Sequence, residues 1–298
     1  MKRENTMAVK QHSRLRLKKR QPNRSRVVDM FVYLFLVIMA ALMAFPLVFA
    51  INSALKPLDE LFMFPPKLFA QNPTMDNFQD LFVTMSKSWV PFSRYILNTI
   101  FITVAGTVGH LIIASMGAFV LSKYDFPGSK LFFNIVVVAL MFNGYVTAIP
   151  NYLIINSFGW IDTYFAIIIP AFAAPMGLFL MKQFMEGLPM SLIEAAKIDG
   201  ANEWKVFIGI VMPNVKPAWL TLTILSVQSL WNNGATTFIY SEEKKTLVFA
   251  LQQIQSGGIA RTGQAAAVAV IMMVVPVATF ILSESQVLET MASSGLKD

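Results

Sequence analysis

Hydrophobic positions in this chain fall in six long blocks, with the polar positions collected in the gaps between them. The blocks are Met30–Ile51, Tyr95–Leu121, Leu131–Pro150, Thr163–Met181, Pro217–Tyr240 and Thr262–Ser283, and none contains Lys, Arg, Asp or Glu. A bilayer core about 30 Å thick takes roughly 20 apolar residues at about 1.5 Å each, so each block is long enough to span. Alternation with period two, the mark of a membrane β-barrel, is absent. Helices satisfy every backbone donor and acceptor within lipid. The pattern therefore predicts an all-α membrane protein with six transmembrane helices.

Composition agrees. Hydrophobic residues make up 55% of the chain and charged ones 14%, against about 25% charge in a soluble domain. The net charge of +7 does not point to nucleic acid, because ten of the 24 Lys and Arg lie within the first 26 residues. A basic tail before an apolar run reads as a cytosolic anchor facing anionic lipid headgroups. The first block is too long for the apolar region of a signal peptide, so it is expected to be a retained span. With no cysteine, disulfides, Cys-based metal sites and a thiol nucleophile are excluded.

The positive-inside rule sets the direction. With the basic tail, residues 1–29, inside, segments 122–130, 182–216 and 284–298 are inside as well. The outside segments then hold only Lys56, Lys67, Lys87, Arg94, Lys244, Lys245 and Arg261. Both termini are expected in the cytosol, the C-terminal tail being 285–298. Segment 52–94, with Pro57, Pro65, Pro66, Pro73 and Pro91, reads as a partly ordered extracytoplasmic cap.

One polar interruption stands out between the fourth and fifth blocks, Glu194–Pro217, EAAKIDGANEWKVFIGIVMPNVKP. Ser191-Leu-Ile-Glu194 has the spacing of a capping box. Leu188, Leu192, Ala195 and Ala196 would make a small apolar side, and Gly200 suits a left-handed helix end. A second helix over about Asn202 to Val211 would carry Trp204, Phe207, Ile208 and Val211 on its apolar face. Pro213 would stop it, and Pro217 would open the next span. The hairpin, residues 188–213, thus reads as a helix pair at the inner membrane surface. From the residues alone, Glu194 is either a helix cap or a contact for a partner.

The residues Glu194-Ala195-Ala196, then Asp199-Gly200-Ala201, then Ile210 and Pro213, resemble the EAA motif of permease subunits of ABC importers. Met212 stands where that motif usually has Leu. The resemblance covers residues 90–284, with Tyr95-Ile-Leu-Asn98, Phe119-Val-Leu-Ser-Lys123, Phe126-Pro127-Gly128 and Leu230-Trp-Asn-Asn233 in accord with the carbohydrate-uptake group. It implies the type I importer permease fold, with residues 30–51 as the extra first helix. It also implies that the hairpin docks in a cleft of a separate ATPase, moving as a lever when two ATPases close on ATP. The coupling residues would be Glu194, Ala195, Ala196, Asp199, Gly200, Ala201 and Pro213. The implied partners are a second homologous permease, two ATPase subunits and an extracytoplasmic solute-binding lipoprotein. The C-terminal stretch from Ser283 resembles the ending of permeases for polysaccharide-derived oligosaccharides.

The chain is not expected to be its own motor or an enzyme. No GxxxxGK[ST] loop is present, since Gly128-Ser-Lys130 and Gly295-Leu-Lys297 lack the loop, and there is no HExxH. ATP and Mg are expected on the partner, with no catalytic residue, cofactor or metal here. Polar groups inside the spans are candidates for a solute path, and they include Asn98, Thr99, Thr103, Thr107, His110, Ser115, Asn134 and Asn143. Amides and aromatic rings suit a sugar, which singles out Gln228, Trp231, Asn232 and Asn233; packing between helices and interface anchoring are the competing roles. An ion-coupled secondary transporter is the alternative, although such proteins use intramembrane acids that these blocks lack.

Overall fold

The computed structural model describes residues 26–65, 67–86, 90–142 and 144–294, with side chains omitted at 26, 84–86 and 284–294. Most of the basic tail, Asn143 and residues 295–298 lie outside the described residues. The described chain is helical, without strands. It divides into two compact units, residues 1–48 and 49–298.

The first helix, α1 (Arg26–Leu55), is apolar on every side, as a helix in lipid is. Within the second unit, α2 (Asp76–Ser86) belongs to the segment expected as a cap. Its Asn77 Nδ2 donates to the carbonyls of Ala54 and Lys56 at 2.9 and 2.7 Å. The helix α3 (Phe92–Lys123) is the centre of this unit. It is followed by α4 (Ser129–Leu140), α5 (Gly144–Ser157), α6 (Phe165–Phe172) and α7 (Pro175–Glu186). The hairpin limbs are α8 (Met190–Ile198) and α9 (Glu203–Asn214), after which come α10 (Lys216–Trp231), α11 (Leu247–Ser256) and α12 (Thr262–Ser294). Small residues let α3 approach its neighbours: α6, α7 and α10 all pack against it.

Four helical stretches are long and apolar enough to cross a membrane: Val27–Leu55, Phe92–Lys123, Phe165–Glu186 and Ile259–Ser283. The other two expected spans are bent pairs. The third block is α4 and α5 meeting at 114° rather than one helix. Gly144 opens the second piece, and glycine is a poor helix former. The fifth block is shorter than Pro217–Tyr240: α10 stops at Trp231, where Asn232 caps it. Beyond it, residues 232–240 form turns. Polar Asn232, Asn233 and Gly234 end the helix because their side chains and freedom favour turns. Conversely, α12 runs on to Ser294, so the expected C-terminal tail begins as helix.

Three apolar clusters hold the second unit. At the hairpin end, Phe119, Met181, Met185, Ile193, Val206, Val211 and Leu222 are buried together. In the middle are Ile102, Ile167, Ile168 and Leu230. At the far end Leu81, Phe92, Tyr95, Trp231, Leu247 and Ile254 pack with Val268. Each such side chain removed from solvent or lipid headgroup contributes roughly 1.5–3 kcal/mol where water is the reference.

Candidate functional site

The hairpin is built around Gly200. Its φ of +81° is left-handed, which a glycine adopts without the clash a Cβ brings. Gly200 N–H donates to Lys197 O at 3.0 Å, and Ala201 N–H to Ala196 O at 2.9 Å. These are the two bonds of a Schellman turn, as the position of Gly200 predicts. The start of α8 differs from expectation. Pro189 is the N-cap and no side chain caps the helix, so the Ser191–Glu194 capping box does not form. Proline's fixed φ starts the helix two residues early. Glu194 is exposed and not engaged as a cap.

The faces of the limbs also differ from expectation. Ile193 and Ala196 point into the cluster, while Leu192 and Ala195 are exposed. In α9, Val206, Phe207 and Val211 are buried, but Trp204 and Ile208 are 58% and 63% exposed. The hairpin therefore presents Glu194, Ala195, Ile198, Asp199 and Gly200 outward from a seat of apolar side chains; Ile198 is 87% exposed. Ala196 is turned inward and Ala201 is half-buried.

Pro213 does not end α9, which continues to Asn214. Phe207–Val211 is instead a π turn, the wider turn that appears where a helix must absorb a defect. Pro213 has no N–H and crowds the carbonyl four residues back. Asn214 Nδ2 donates to Ile210 O at 2.8 Å and Trp219 Nε1 to Met212 O at 3.3 Å, so nearby carbonyls still find donors. The second limb itself is capped by Asn202, whose Oδ1 accepts from Lys205 N–H at 2.9 Å.

Two ionic features were hidden in the sequence. Lys197 and Glu203, each three residues from Gly200, pair at 2.7 Å, and the Tyr124 hydroxyl donates to Glu203. Their symmetric spacing about Gly200 is the signal that could have found them. The Glu203 hydrogen bond raises the Lys197 amine above its ordinary range; burial, then Glu203, raises the Tyr124 phenol. At the far end Asp162 is a clasp. Its Oδ1 accepts from Tyr240 N–H at 3.0 Å and Ser241 N–H at 2.8 Å, and Oδ2 accepts from Ser241 Oγ and Lys244. Burial works to raise this carboxyl, but the four hydrogen bonds outweigh it and hold it well below the carboxylate range.

Candidate path residues divide. Gln228 and Asn232 are exposed on one side of α10, and Asn233 is exposed beyond its end. Asn232 Nδ2 donates to Gln228 O at 2.9 Å, and Asn233 Oδ1 accepts Ala235 N–H at 2.8 Å. Trp231 is turned into the far cluster, where its Nε1 donates to Met272 O at 2.8 Å. Other polar groups of α3 tie the fold together. Asn98 donates to Glu243 O and Lys245 O at 2.8 and 2.9 Å. Thr99 Oγ1 accepts Leu247 N–H at 2.8 Å. His110 lies 2.8 Å from Ser226 Oγ and 3.2 Å from Ala174 O, at the break before Pro175. Among the described residues no cluster of His, Cys, Asp and Glu could hold a metal.

An all-helical bundle with a docking-shaped polar hairpin between two of its apolar segments defines a membrane permease. The chain belongs to the family of binding-protein-dependent transport system inner membrane components, which matches residues 110–289. It is 33% identical to the protein LplC of Bacillus subtilis (strain 168) over 231 residues, 77% of this chain and 76% of that one. It is 30% identical over 221 residues to the polygalacturonan/rhamnogalacturonan transport system permease YtcP of the same strain, 73% of each chain. A crystal structure of a bacterial ABC transporter that imports the acidic polysaccharide alginate superposes with TM-score 0.75 at 25% identity, covering 88% of this chain and 99% of that one. The chain is accordingly an inner-membrane, multi-pass transport component.

Proposed function

We propose that this chain is one of two permease subunits of an ABC importer that moves an oligosaccharide into the cytosol. Six spans, counting each bent pair as one, place the hairpin and both termini inside. A separate ATPase binds ATP and Mg and receives the outward face of the hairpin, through Glu194, Ala195, Asp199 and Gly200, with Ala196, Ala201 and Pro213 shaping the limbs. A second permease, a second ATPase and an extracytoplasmic solute-binding lipoprotein complete the assembly.

The observation that carries this reading is the two-sidedness of the hairpin. Ile193, Val206, Phe207 and Val211 root it in the spans, while a small, polar face is left open. A force on the open face is thereby delivered to α3, α7 and α10, which alternating access requires of a lever. An oligosaccharide is favoured by the substrates named for YtcP and for the alginate importer. Gln228, Asn232 and Asn233 are proposed to face the solute, and Trp231 to support them. The test is co-purification of the chain with its ATPase and binding protein, then ATP hydrolysis across binding protein loaded with different oligosaccharides. Gly200→Pro and Glu194→Lys are expected to insert normally and to abolish stimulated hydrolysis; normal stimulation in both would refute the coupling role.

A further inference from the structure

Three groups from three elements converge beside the Gly200 turn. Lys197 comes from the first limb, Glu203 from the second, and Tyr124 from the residue after α3. Lys197 Nζ is 2.7 Å from Glu203 Oε1 and 3.4 Å from the Tyr124 hydroxyl, which itself donates to Glu203 Oε2. The Tyr124 ring meets the edge of Phe119 at 5.6 Å, and Phe119 meets Phe207 of the second limb at 5.4 Å. Next to this point the two elements are not closely packed. A pocket of about 400 Å³ lies between Met116 and Val120 on α3 and Trp204 on the second limb.

We propose that Tyr124, Lys197 and Glu203 form a clasp that fixes the hairpin to the second span, so that the two move as one body. Tyr124 and Glu203 are then positioning residues for coupling. This rests on the reading of the hairpin as the ATPase-docking element. The pocket is the reason the clasp is needed: apolar contact alone leaves the second limb room to shift against α3, and a shift absorbed there never reaches the spans. Protein interiors transmit displacement because they are close-packed, and here packing is incomplete. The polar contacts lie at an exposed edge, with the Lys197 and Glu203 side chains 36% and 56% exposed. Exposed ion pairs add little to stability, so their removal leaves the fold in place and changes what the hairpin transmits.

The test uses the whole transporter, co-purified with its ATPase and placed in vesicles, with ATP and the purified binding protein as probes. The quantity is the ratio of ATP hydrolysis with binding protein to hydrolysis without it. Tyr124→Phe, which keeps the ring on Phe119, and Glu203→Gln are expected to lower that ratio about three-fold, mainly by raising unstimulated hydrolysis, a size within reach of an exposed ionic contact. The double exchange Lys197→Glu with Glu203→Lys, which still offers a carboxylate to Tyr124, is expected to restore most of it. An unchanged ratio in both single variants overturns the clasp. So does a fall of both rates in proportion, which marks a merely structural role, or a double exchange no better than the singles. Gly200→Pro measured alongside separates the two ideas: if it keeps the wild-type ratio, the hairpin reading itself has failed.

Discussion

At the scale of single residues, tight contacts decide which side chains are replaceable. A Cβ on Gly177 would sit 2.2 Å from His110 Nε2, so Gly177→Ala forces the imidazole off Ser226 and Ala174. Overpacking of this kind costs typically 1–3 kcal/mol. Gly177→Ala is expected to lower the melting midpoint of the purified protein, and adding His110→Ala is expected to recover part of the loss, a non-additive pair by double-mutant cycle. His110 is thus read as a pin between α3, α7 and α10. Trp231 behaves similarly. Trp231→Phe keeps the ring and loses the bond to Met272, worth about 1 kcal/mol. The expected outcome is a lower midpoint with unaltered solute dependence, whereas Gln228→Ala is expected to shift the solute dependence and leave the midpoint. A reversed pattern in calorimetry and stimulated hydrolysis would move the solute path to Trp231.

Elements carry the second lesson, and the polar connections carry most of it. The Asp162 clasp joins the loop before α6 to the loop after α10. Because the folded carboxyl titrates below its unfolded value of about 3.9, its contribution is complete above that value and is lost as pH falls towards the folded one. Asp162→Asn is therefore expected to melt lower than wild type at pH 7, with the gap closing below about pH 4. A gap that persists at pH 3 would show that the carboxylate charge is not what matters. Such connections were the least legible part of the sequence. The apolar blocks exposed the helices because lipid demands long uncharged runs, and Gly200 betrayed the turn because only it tolerates φ of +81°. The break in the third block and the early end of the fifth at Trp231 are invisible to hydropathy, since a bent helix and a straight one bury the same residues. The capping box failed because Pro189 had already started α8. The inward face of the hairpin was misphased for the same reason, with Ile193 rather than Leu192 turned in.

On the scale of the whole second unit, polar fasteners sit at both ends and the middle is held by apolar packing. Tyr95, Asn98, Asp162 and Lys244 knit the far loops, and Lys123 donates to Leu188 O at 2.6 Å where the hairpin begins. The π turn at Phe207–Val211 then acquires a meaning that concerns length. A residue advances an α-helix by about 100°. Deleting one residue from this five-residue turn would restore an ordinary helical turn and rotate everything after it, Pro213, the bend and Lys216–Trp231, by about that angle relative to Trp204. The stretch works as a spacer that sets angular phase, and its number of residues is held more tightly than their identity.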